Sequence, residues 1–359
     1  MPTELNVLVL AGGTSAEHSI SLRSAATVTT ALQACGHATT VVAIDKSGGW
    51  LAGDFASLLL GSRTRLVEVK TGGGRPVVLS GRQGRGYLLP EDGGDNTSGP
   101  FDVVFPVLHG PGGEDGSIQG LLETLAVPFV GAGCRASALA MDKLSAKRLA
   151  RAIGLEQAEF VDASLMDSDR LTAAVETAFG FPCFVKPASL GSSVGISRVT
   201  GPTGLAGALV EARRWDNRII AERAIEGREI EIALLGNEDP EISDPGEIIP
   251  HGDFYDFDDK YRGSEARLIV PADIDPATGA VVYDVARKAW NMIGCRGMAR
   301  IDFFIEAATS KVLLNEINTI PGFTEISMFP RVWKAAGLEI EDLVAQLVEL
   351  ALQAHPPRR

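Results

Sequence analysis

The sequence predicts a mixed α/β and α+β protein, with a doubly wound parallel sheet at the N-terminus followed by two α+β subdomains. Two uninterrupted apolar strands with a helix between them open the chain, and such strands are typical of a parallel sheet covered on both faces. Further along, short strands flank a glycine-rich turn, and two apolar strands near the C-terminus carry polar residues at a spacing of two. With 359 residues and 45% hydrophobic content, the chain is too long for a single core, so we expect two or three domains.

The N-terminal region contains the elements of the parallel sheet. Residues 6–10 and 38–44 form apolar strands, residues 19–33 have the alanine and leucine pattern of a helix, and residues 101–108 form a third strand. Residues 71–100 are rich in Gly, Arg and Asp around two short apolar runs. We therefore expect them to form an exposed hairpin outside the core.

Three domains are predicted, at residues 1–133, 134–221 and 222–359. The elements of the second are a helix at 137–153 with Ser137 as its N-cap, a helix at 167–179, and strands at 159–161, 183–186, 194–198 and 218–222. Those of the third are an alternating strand at 229–235, a long loop at 245–263, a helix at 276–293 capped by Asp275, the C-terminal strand pair and a helix at 339–352.

Charge and cysteine content exclude several classes of protein. The net charge of −13 argues against a nucleic-acid or anionic-membrane partner, because both would be repelled at long range. The four cysteines lie far apart without a CxxC spacing, which indicates reduced thiols in a cytosolic protein. The N-terminus has no basic leader and no apolar run approaches a membrane span, so we expect a cytoplasmic location.

The C-terminal strand pair predicts a magnesium site. Arg300 and Asp302 are two residues apart and point to one side of a strand, and Glu316 and Asn318 have the same spacing on the next strand. If the strands are hairpin neighbours, Asp302, Glu316 and Asn318 converge as three oxygen donors, and such a set suits Mg²⁺. Solvated residues at a strand end are the alternative for one such pair, but the combined pattern favours the metal. Gly322 then lets bare backbone approach a reacting group.

A strand that ends in Lys186 and a following Gly/Ser turn with Ser192 predict a polyphosphate site, because free N–H groups, hydroxyls and an ammonium suit phosphate. The order of residues matches neither a P-loop nor a Rossmann turn. A plain turn and, for Lys143 early in its helix, a surface lysine remain alternatives. Glu222 and Glu229 flank a hinge whose backbone can meet an adenine edge while a carboxylate reaches the ribose.

Together these segments resemble the ATP-grasp superfamily and, within it, the D-alanine–D-alanine ligases. The matching segments are AGGTSAEHSISL at 11–22, LHGPGGEDGSIQG at 108–120, MDK at 141–143, VKPASLGSSVG at 185–195, FYDFDDKY at 254–261, and ARIDFF with NEINTIPGFTEIS at 299–304 and 315–327. The resemblance implies that the two α+β subdomains form an ATP-grasp fold. It also implies ATP-dependent ligation of two D-alanines through a D-alanyl phosphate, for peptidoglycan precursors.

The same resemblance assigns residues to ATP and metal. Lys143 and Lys186 hold the α- and β-phosphates, and the Ser192 loop covers them. The nucleoside contacts are Glu222, Arg223, Ile225 and Glu229, the γ-phosphate contact is Lys260, and the ligands of two Mg²⁺ or Mn²⁺ ions are Asp302, Glu316 and Asn318. A homodimer is implied, and a requirement for a monovalent cation stays open.

For the amino acids, the resemblance places the first D-alanine at Glu17, with His109 lining the pocket. Arg300 and the Gly322 N–H stabilise the reacting carboxyl group and its oxyanion, as expected for such donors. Ser327 and Met328 receive the carboxylate of the second D-alanine. Tyr261, hydrogen-bonded in the family to the residues matching Ser192 and Glu17, accompanies dipeptide formation.

Three alternatives remain at this level. Within the family, D-serine or D-lactate can take the place of D-alanine as the acceptor, although Tyr261 favours D-alanine. Another ATP-grasp carboxylate–amine ligase would share the metal residues but lack the combination of Glu17, Ser192 and Tyr261. A nucleotide-binding protein without catalysis on the same fold is the third alternative, and the presence of Arg300 and the metal residues argues against it.

Overall fold

The computed structural model describes residues 4–249 and 267–355, and the parallel core of its first sheet agrees with the sequence. The elements are β1 (Asn6–Gly12), α1 (His18–Ala34), β2 (Ala38–Ile44) and β7 (Val103–Val107). Strand β1 lies between β2 and β7 and is parallel to both, with Val9 opposite Val41 and Phe105. The predicted strand–helix–strand unit is confirmed, and its strand ends meet at one edge where ligands bind in such sheets.

The rest of the first sheet corrects the prediction for residues 71–100. The elements are β3 (Trp50–Ala52), α2 (Ala56–Ser62), β4 (Arg75–Arg82), β5 (Arg85–Pro90) and β6 (Ser98–Phe101). They extend the sheet in the order β6-β5-β4-β3-β2-β1-β7, with antiparallel pairs from β2 to β6. The prediction that this hairpin lies outside the core was wrong, because Val77, Leu88 and Phe101 are buried in one core cluster with Leu10. Only alternate residues of these strands face that core, so the overall glycine and arginine content of the segment does not indicate its buried face.

Two helices replace the single helix predicted at 137–153. After α3 (Ser117–Thr124), α4 (Cys134–Met141) and α5 (Lys143–Ala152) are separated by Asp142. Asp142 has extended backbone angles, and its carboxylate accepts a 3.0 Å hydrogen bond from the Ser145 N–H, so it caps α5. Ser137 lies inside α4, whose N-cap is Gly133. The break makes Lys143 the first residue of α5.

The second sheet is antiparallel and agrees with the predicted central unit. Its elements are β8 (Phe160–Asp162), α6 (Ser168–Ala178), β9 (Cys183–Pro187), β10 (Ser197–Val199), α7 (Leu205–Arg213) and β11 (Ile219–Arg223), with a 3₁₀ turn at Pro202–Gly204. The strand order is β10-β9-β11-β8. Leu171 and Val175 of α6 and Leu209 of α7 pack with Val185 and Ile219 in one apolar cluster. This packing leaves the other face of the sheet for the candidate site.

The third sheet contains the predicted strand pair. Its elements are β12 (Gly227–Gly236), β13 (Glu241–Ile242), β14 (Gly246–Ile249), β15 (Arg267–Ile269), β16 (Gly297–Glu306) and β17 (Val312–Asn318). The order is β15-β14-β12-β16-β17, and β13 pairs with β12. The prediction of a continuous loop at 245–263 was wrong for β14. The remainder of that loop lies outside the described residues.

Three helices complete the described part of the fold: α8 (Pro276–Ile293), α9 (Met328–Ala335) and α10 (Ile340–Ala354). Asp275 caps α8 as predicted, with its carboxylate accepting from the Ala277 and Thr278 N–H groups. Leu343 and Leu347 of α10 share one core cluster with Val9 of the first sheet and Ala233 of the third. The C-terminal helix therefore packs the first and third sheets together. The two boundaries between the three predicted domains stay predictions.

Among the described residues, no helix combines the length and apolar character that crossing a membrane requires. All four cysteines, Cys35, Cys134, Cys183 and Cys295, are free thiols.

Candidate active site

Two adjoining clefts bring the predicted residues together. The larger, of about 1090 Å³, is lined by the predicted nucleotide residues Lys143, Lys186, Ser192, Glu222, Arg223, Ile225 and Glu229, together with Asp302 and Glu316. The smaller, of about 750 Å³, is lined by Glu17, His109, Arg300, Asn318, Gly322, Ser327 and Met328. Both clefts contact Ser192, Glu231 and Glu316, so they meet at those side chains. Lys260 and Tyr261 lie outside the described residues.

The strand pair has the register that the metal prediction requires. Strands β16 and β17 are antiparallel neighbours, with Asp302 opposite Glu316 and Arg300 opposite Asn318. Directly opposed side chains lie close enough to share a ligand. The Asn318 Oδ1 already accepts a 3.0 Å hydrogen bond from the Ile320 N–H, which orients its amide.

The donor set fits Mg²⁺, which usually binds one or two carboxylates together with substrate phosphates. In the described ranges, no group of three or more His, Cys, Asp or Glu side chains is placed to hold a metal ion. The predicted set contains two carboxylates and one amide, so substrate oxygens would have to complete it.

Arg300 provides a fixed positive charge beside these carboxylates. Its Nε and one terminal nitrogen donate to the two Asp302 oxygens at 2.8 and 2.7 Å, and its Nε lies 3.2 Å from Glu231. Burial alone would lower the pKa of the guanidinium, but Asp302 and Glu231 outweigh it and hold the pKa well above its ordinary value. Arg300 therefore stays charged in the smaller cleft, next to Glu231, where the two clefts meet.

The two lysines that line the larger cleft both contact oxygen atoms of the protein. The Lys143 Nζ donates to the Leu190 carbonyl at 2.7 Å and lies 3.7 Å from the Glu316 carboxylate. The Lys186 Nζ lies 2.5 Å from one Glu222 oxygen, and Lys147 of α5 contacts the other. Burial would raise the pKa of Glu222, but the two ammonium groups lower it to about 2. Glu222 therefore stays ionised at neutral pH between Lys147 and Lys186.

Glu17 and the Gly/Ser loop close one side of the smaller cleft. The Ser192 hydroxyl donates a short hydrogen bond to the Glu17 carboxylate, although 175 residues separate them. Ser192 and Ser193 both have left-handed backbone angles, with φ of 50° and 59°, so the loop turns sharply at its tip. A Cβ at Gly110 would lie 2.9 Å from Glu17 Oε2, so glycine is needed there for the carboxylate to keep its position.

His109 connects the first sheet to the loop that follows β17. Its Nδ1 lies 3.1 Å from the Ile320 carbonyl oxygen and its Nε2 lies 3.1 Å from the Ser24 hydroxyl, which accepts from the Phe323 N–H. Burial would lower the pKa of His109, but hydrogen bonding and charge from Glu114 raise it above its ordinary value. The histidine thus orients the Gly322 segment toward the smaller cleft.

Ser327 lies directly before α9, whose first residue is Met328. The Ser327 hydroxyl is 2.7 Å from that of Thr324 and accepts from the Thr324 N–H. A Cβ at Gly322 would lie 2.7 Å from the Ser327 Oγ, so a side chain there would displace the serine. The backbone N–H groups at the start of α9 are suited to a carboxylate.

Arg223 is placed differently from what its prediction as a nucleotide residue suggests. It lines the larger cleft, but its guanidinium pairs with Glu159 at 2.5 Å and Glu306 at 2.7 Å. The Arg223 N–H also donates to the Glu159 carbonyl at 2.9 Å. The role of Arg223 stays a prediction.

Comparison with known proteins identifies the family. The model described as "D-ala D-ala ligase N-terminus" matches residues 6–132, and "D-ala D-ala ligase C-terminus" matches residues 149–349. The chain belongs to the D-alanine–D-alanine ligase family. A D-alanine–D-alanine ligase of Thermoanaerobacter sp. is 42% identical over 97% of both chains, and D-alanine–D-alanine ligase A of Escherichia coli is 40% identical over 98% of this chain and 97% of its own.

Solved structures of the family have the same fold. The D-alanine–D-alanine ligase of Coxiella burnetii superposes with a TM-score of 0.83 at 38% identity, covering 99% of this chain and 95% of its own. The D-Ala:D-Ser ligase VanG of Enterococcus faecalis also gives 0.83, at 29% identity over 97% of this chain and 100% of its own. The same fold therefore occurs in proteins named for different acceptors.

Two residues of this ligase site were missed by the sequence analysis. Lys147 lies one helical turn after Lys143 and contacts Glu222, and Glu231 lies two residues after Glu229 and contacts Arg300. The signals were the four-residue helical spacing and the two-residue strand spacing, which put each on the same side as a predicted residue. Neither spacing shows which carboxylate or cation lies opposite.

Proposed function

We propose that this member of the D-alanine–D-alanine ligase family uses ATP to join two D-alanines into D-alanyl-D-alanine. The observation that carries the proposal is the meeting of two clefts of different chemistry at Glu231 and Glu316, with Arg300 of the smaller cleft 3.2 Å from Glu231. The larger cleft offers the Lys143 and Lys186 ammonium groups to phosphates. The smaller offers the Glu17 carboxylate to an ammonium group at one end, and Ser327 with the start of α9 to a carboxylate at the other.

In the first step, the carboxylate of the first D-alanine attacks the γ-phosphate of ATP, which gives an acyl phosphate and ADP. Glu17 pairs with the substrate ammonium and Arg300 holds its carboxyl group toward the larger cleft. Lys143 and Lys186 hold the phosphates in line, and such positioning is the main source of catalysis in phosphoryl transfer. Mg²⁺ bound at Asp302, Glu316 and Asn318 would shield the phosphate charges.

In the second step, the free amine of the second D-alanine attacks the acyl carbon and phosphate leaves. Ser327 and the N–H groups at the start of α9 hold its carboxylate. Arg300 and the Gly322 N–H stabilise the oxyanion of the tetrahedral intermediate. The Ser192 loop, bonded to Glu17, limits the access of water to the acyl phosphate.

The acceptor is tested directly by product identity. We expect D-alanyl-D-alanine from ATP and D-alanine, and we expect it to dominate when equimolar D-serine or D-lactate is added, with products identified by mass at neutral pH. A dominant D-alanyl-D-serine or ester product would show that the preferred acceptor is D-serine or D-lactate and not D-alanine. ADP release that ignores D-alanine would refute the family activity for this chain.

Further parts of the proposal concern the setting of the reaction. The product serves peptidoglycan precursor synthesis in the cytoplasm, and the four free thiols support a reducing compartment. We also propose a homodimer, which sedimentation of the full chain tests. Activity compared in potassium and in tetramethylammonium buffers tests for a monovalent-cation requirement.

A further inference from the structure

Lys147 is a buried cation that touches neither cleft. It lies on α5 one turn after Lys143, and its side chain is 3% exposed. Its ammonium contacts one oxygen of Glu222, while Lys186 of β9 lies 2.5 Å from the other oxygen. A single carboxylate is thus shared by two lysines, one that lines the larger cleft and one that lines neither cleft.

Stability alone does not account for such an arrangement. Burying an ion pair is often no more favourable than burying apolar side chains of the same volume. The position of Lys147 is nevertheless well defined, because Gln157 donates to its carbonyl at 2.8 Å and the Phe160 ring lies 6.0 Å from its ammonium. A fixed cation at this place therefore indicates a task connected with Glu222.

We propose that Lys147 is a positioning residue of the nucleotide cleft, which keeps Glu222 paired when Lys186 leaves that carboxylate for a nucleotide phosphate. The inference rests on the proposed function in that the larger cleft binds ATP. Lys186 contacts Glu222 at 2.5 Å, so an ammonium drawn toward a nucleotide phosphate weakens this contact. Without a second cation, the departure of Lys186 would leave a buried carboxylate unpaired, which is strongly unfavourable.

The geometry also explains why Glu222 does not move with Lys186. Its side chain is 7% exposed near the end of β11, and Lys147, which lines neither cleft, contacts the oxygen that Lys186 leaves available. Lys147 therefore holds the carboxylate as a fixed acceptor beside the nucleoside. Lys186 remains movable because its alternative partner is the ligand.

The test is the ADP affinity of the full chain after Lys147→Met, which removes the charge and conserves most of the volume. We expect the ADP dissociation constant to rise at least about 10-fold, because Lys186 is then retained by Glu222. The KM for D-alanine and kcat at saturating ATP should change by less than about 3-fold. Arg148→Met, on the exposed side of the same helix, should leave ADP binding unchanged.

A double variant separates this role from a structural one. If Lys147 acts through Glu222, Glu222→Gln and the Lys147→Met/Glu222→Gln pair should bind ADP equally within about 2-fold. A folded Lys147→Met protein with wild-type ADP affinity would overturn the proposal. So would a further loss of affinity in the double variant, or its failure to fold, since the charge left unpaired there, on Lys186, lines the larger cleft and is not enclosed behind it. Intact ADP binding without dipeptide product would refute the proposed function and leave this inference standing.

Discussion

Replacement of Arg300 by lysine tests the centre of the mechanism. The change keeps a positive charge among Asp302, Glu231 and Glu316 but removes the planar fork that spans both Asp302 oxygens. Loss of one arm of a charge-assisted fork weakens the position of the cation by roughly 2 kcal/mol. Loss of one oxyanion donor typically lowers kcat by about 10²–10³-fold, so we expect a decrease in that range.

The assay combines turnover and binding for the Arg300→Lys variant. ADP release with D-alanine reports kcat, and calorimetry reports the ADP dissociation constant, which should change by less than about 3-fold because Arg300 lines the smaller cleft. Arg287→Lys, an exposed arginine on α8, should have wild-type kinetics. A folded Arg300→Lys enzyme with wild-type kcat would show that the guanidinium fork does not stabilise the reacting carboxyl group.

Two further changes follow from the geometry. Gly322→Ala should raise the KM for the acceptor D-alanine about 10-fold with little change in the KM for ATP, because its Cβ would lie 2.7 Å from the Ser327 Oγ. Gly207→Ala on α7, where an added Cβ meets no atom within 4 Å, is the control for the steady-state kinetics. Equal acceptor KM values for Gly322→Ala and the wild type would contradict the prediction. Because the pKa of Glu222 is lowered to about 2 from 4.5, its charge stabilises the fold above about pH 4.5, and this stabilisation is lost as the pH falls toward 2. The difference in free energy of unfolding between the wild type and Glu222→Gln, measured with urea, should therefore shrink by about 3 kcal/mol as the pH falls from 4.5 toward 2. The exposed Glu176→Gln should show no such trend, and a pH-independent advantage would count against the buried pair.

The fold was predictable where local patterns are strong. The apolar strands around α1 and the Asp275 cap of α8 follow from short-range chemistry, and the structure confirms them. The break at Asp142 was missed because an apolar helical pattern continues across it, and only the capping geometry reveals the division. The hairpin of β4 and β5 was judged by its glycine and arginine content, whereas its buried face depends on the neighbouring strands.

The candidate site was predictable to the same extent. A spacing of two placed Asp302 with Arg300 and Glu316 with Asn318, and the observed register confirms that the two strands pair. The resemblance brought Glu17, Ser192 and the lysines into one prediction, and the two clefts collect them. Lys147 and Glu231 were missed, because nothing local distinguishes a buried ion-pair partner from an ordinary helix or strand charge.

By itself, the sequence determined which residue types stand at strand ends and helix starts, since periods of 2 and 3.6 residues are local properties of the backbone. It also determined the family through ordered motifs along the chain. Only the tertiary structure decided that Glu222 is shared by two lysines, that Glu231 lies beside Arg300, and that Ser192 reaches Glu17. The physical reason is that these contacts join different elements of the fold, so their partners depend on how the elements pack and on the burial that makes each unpaired charge costly.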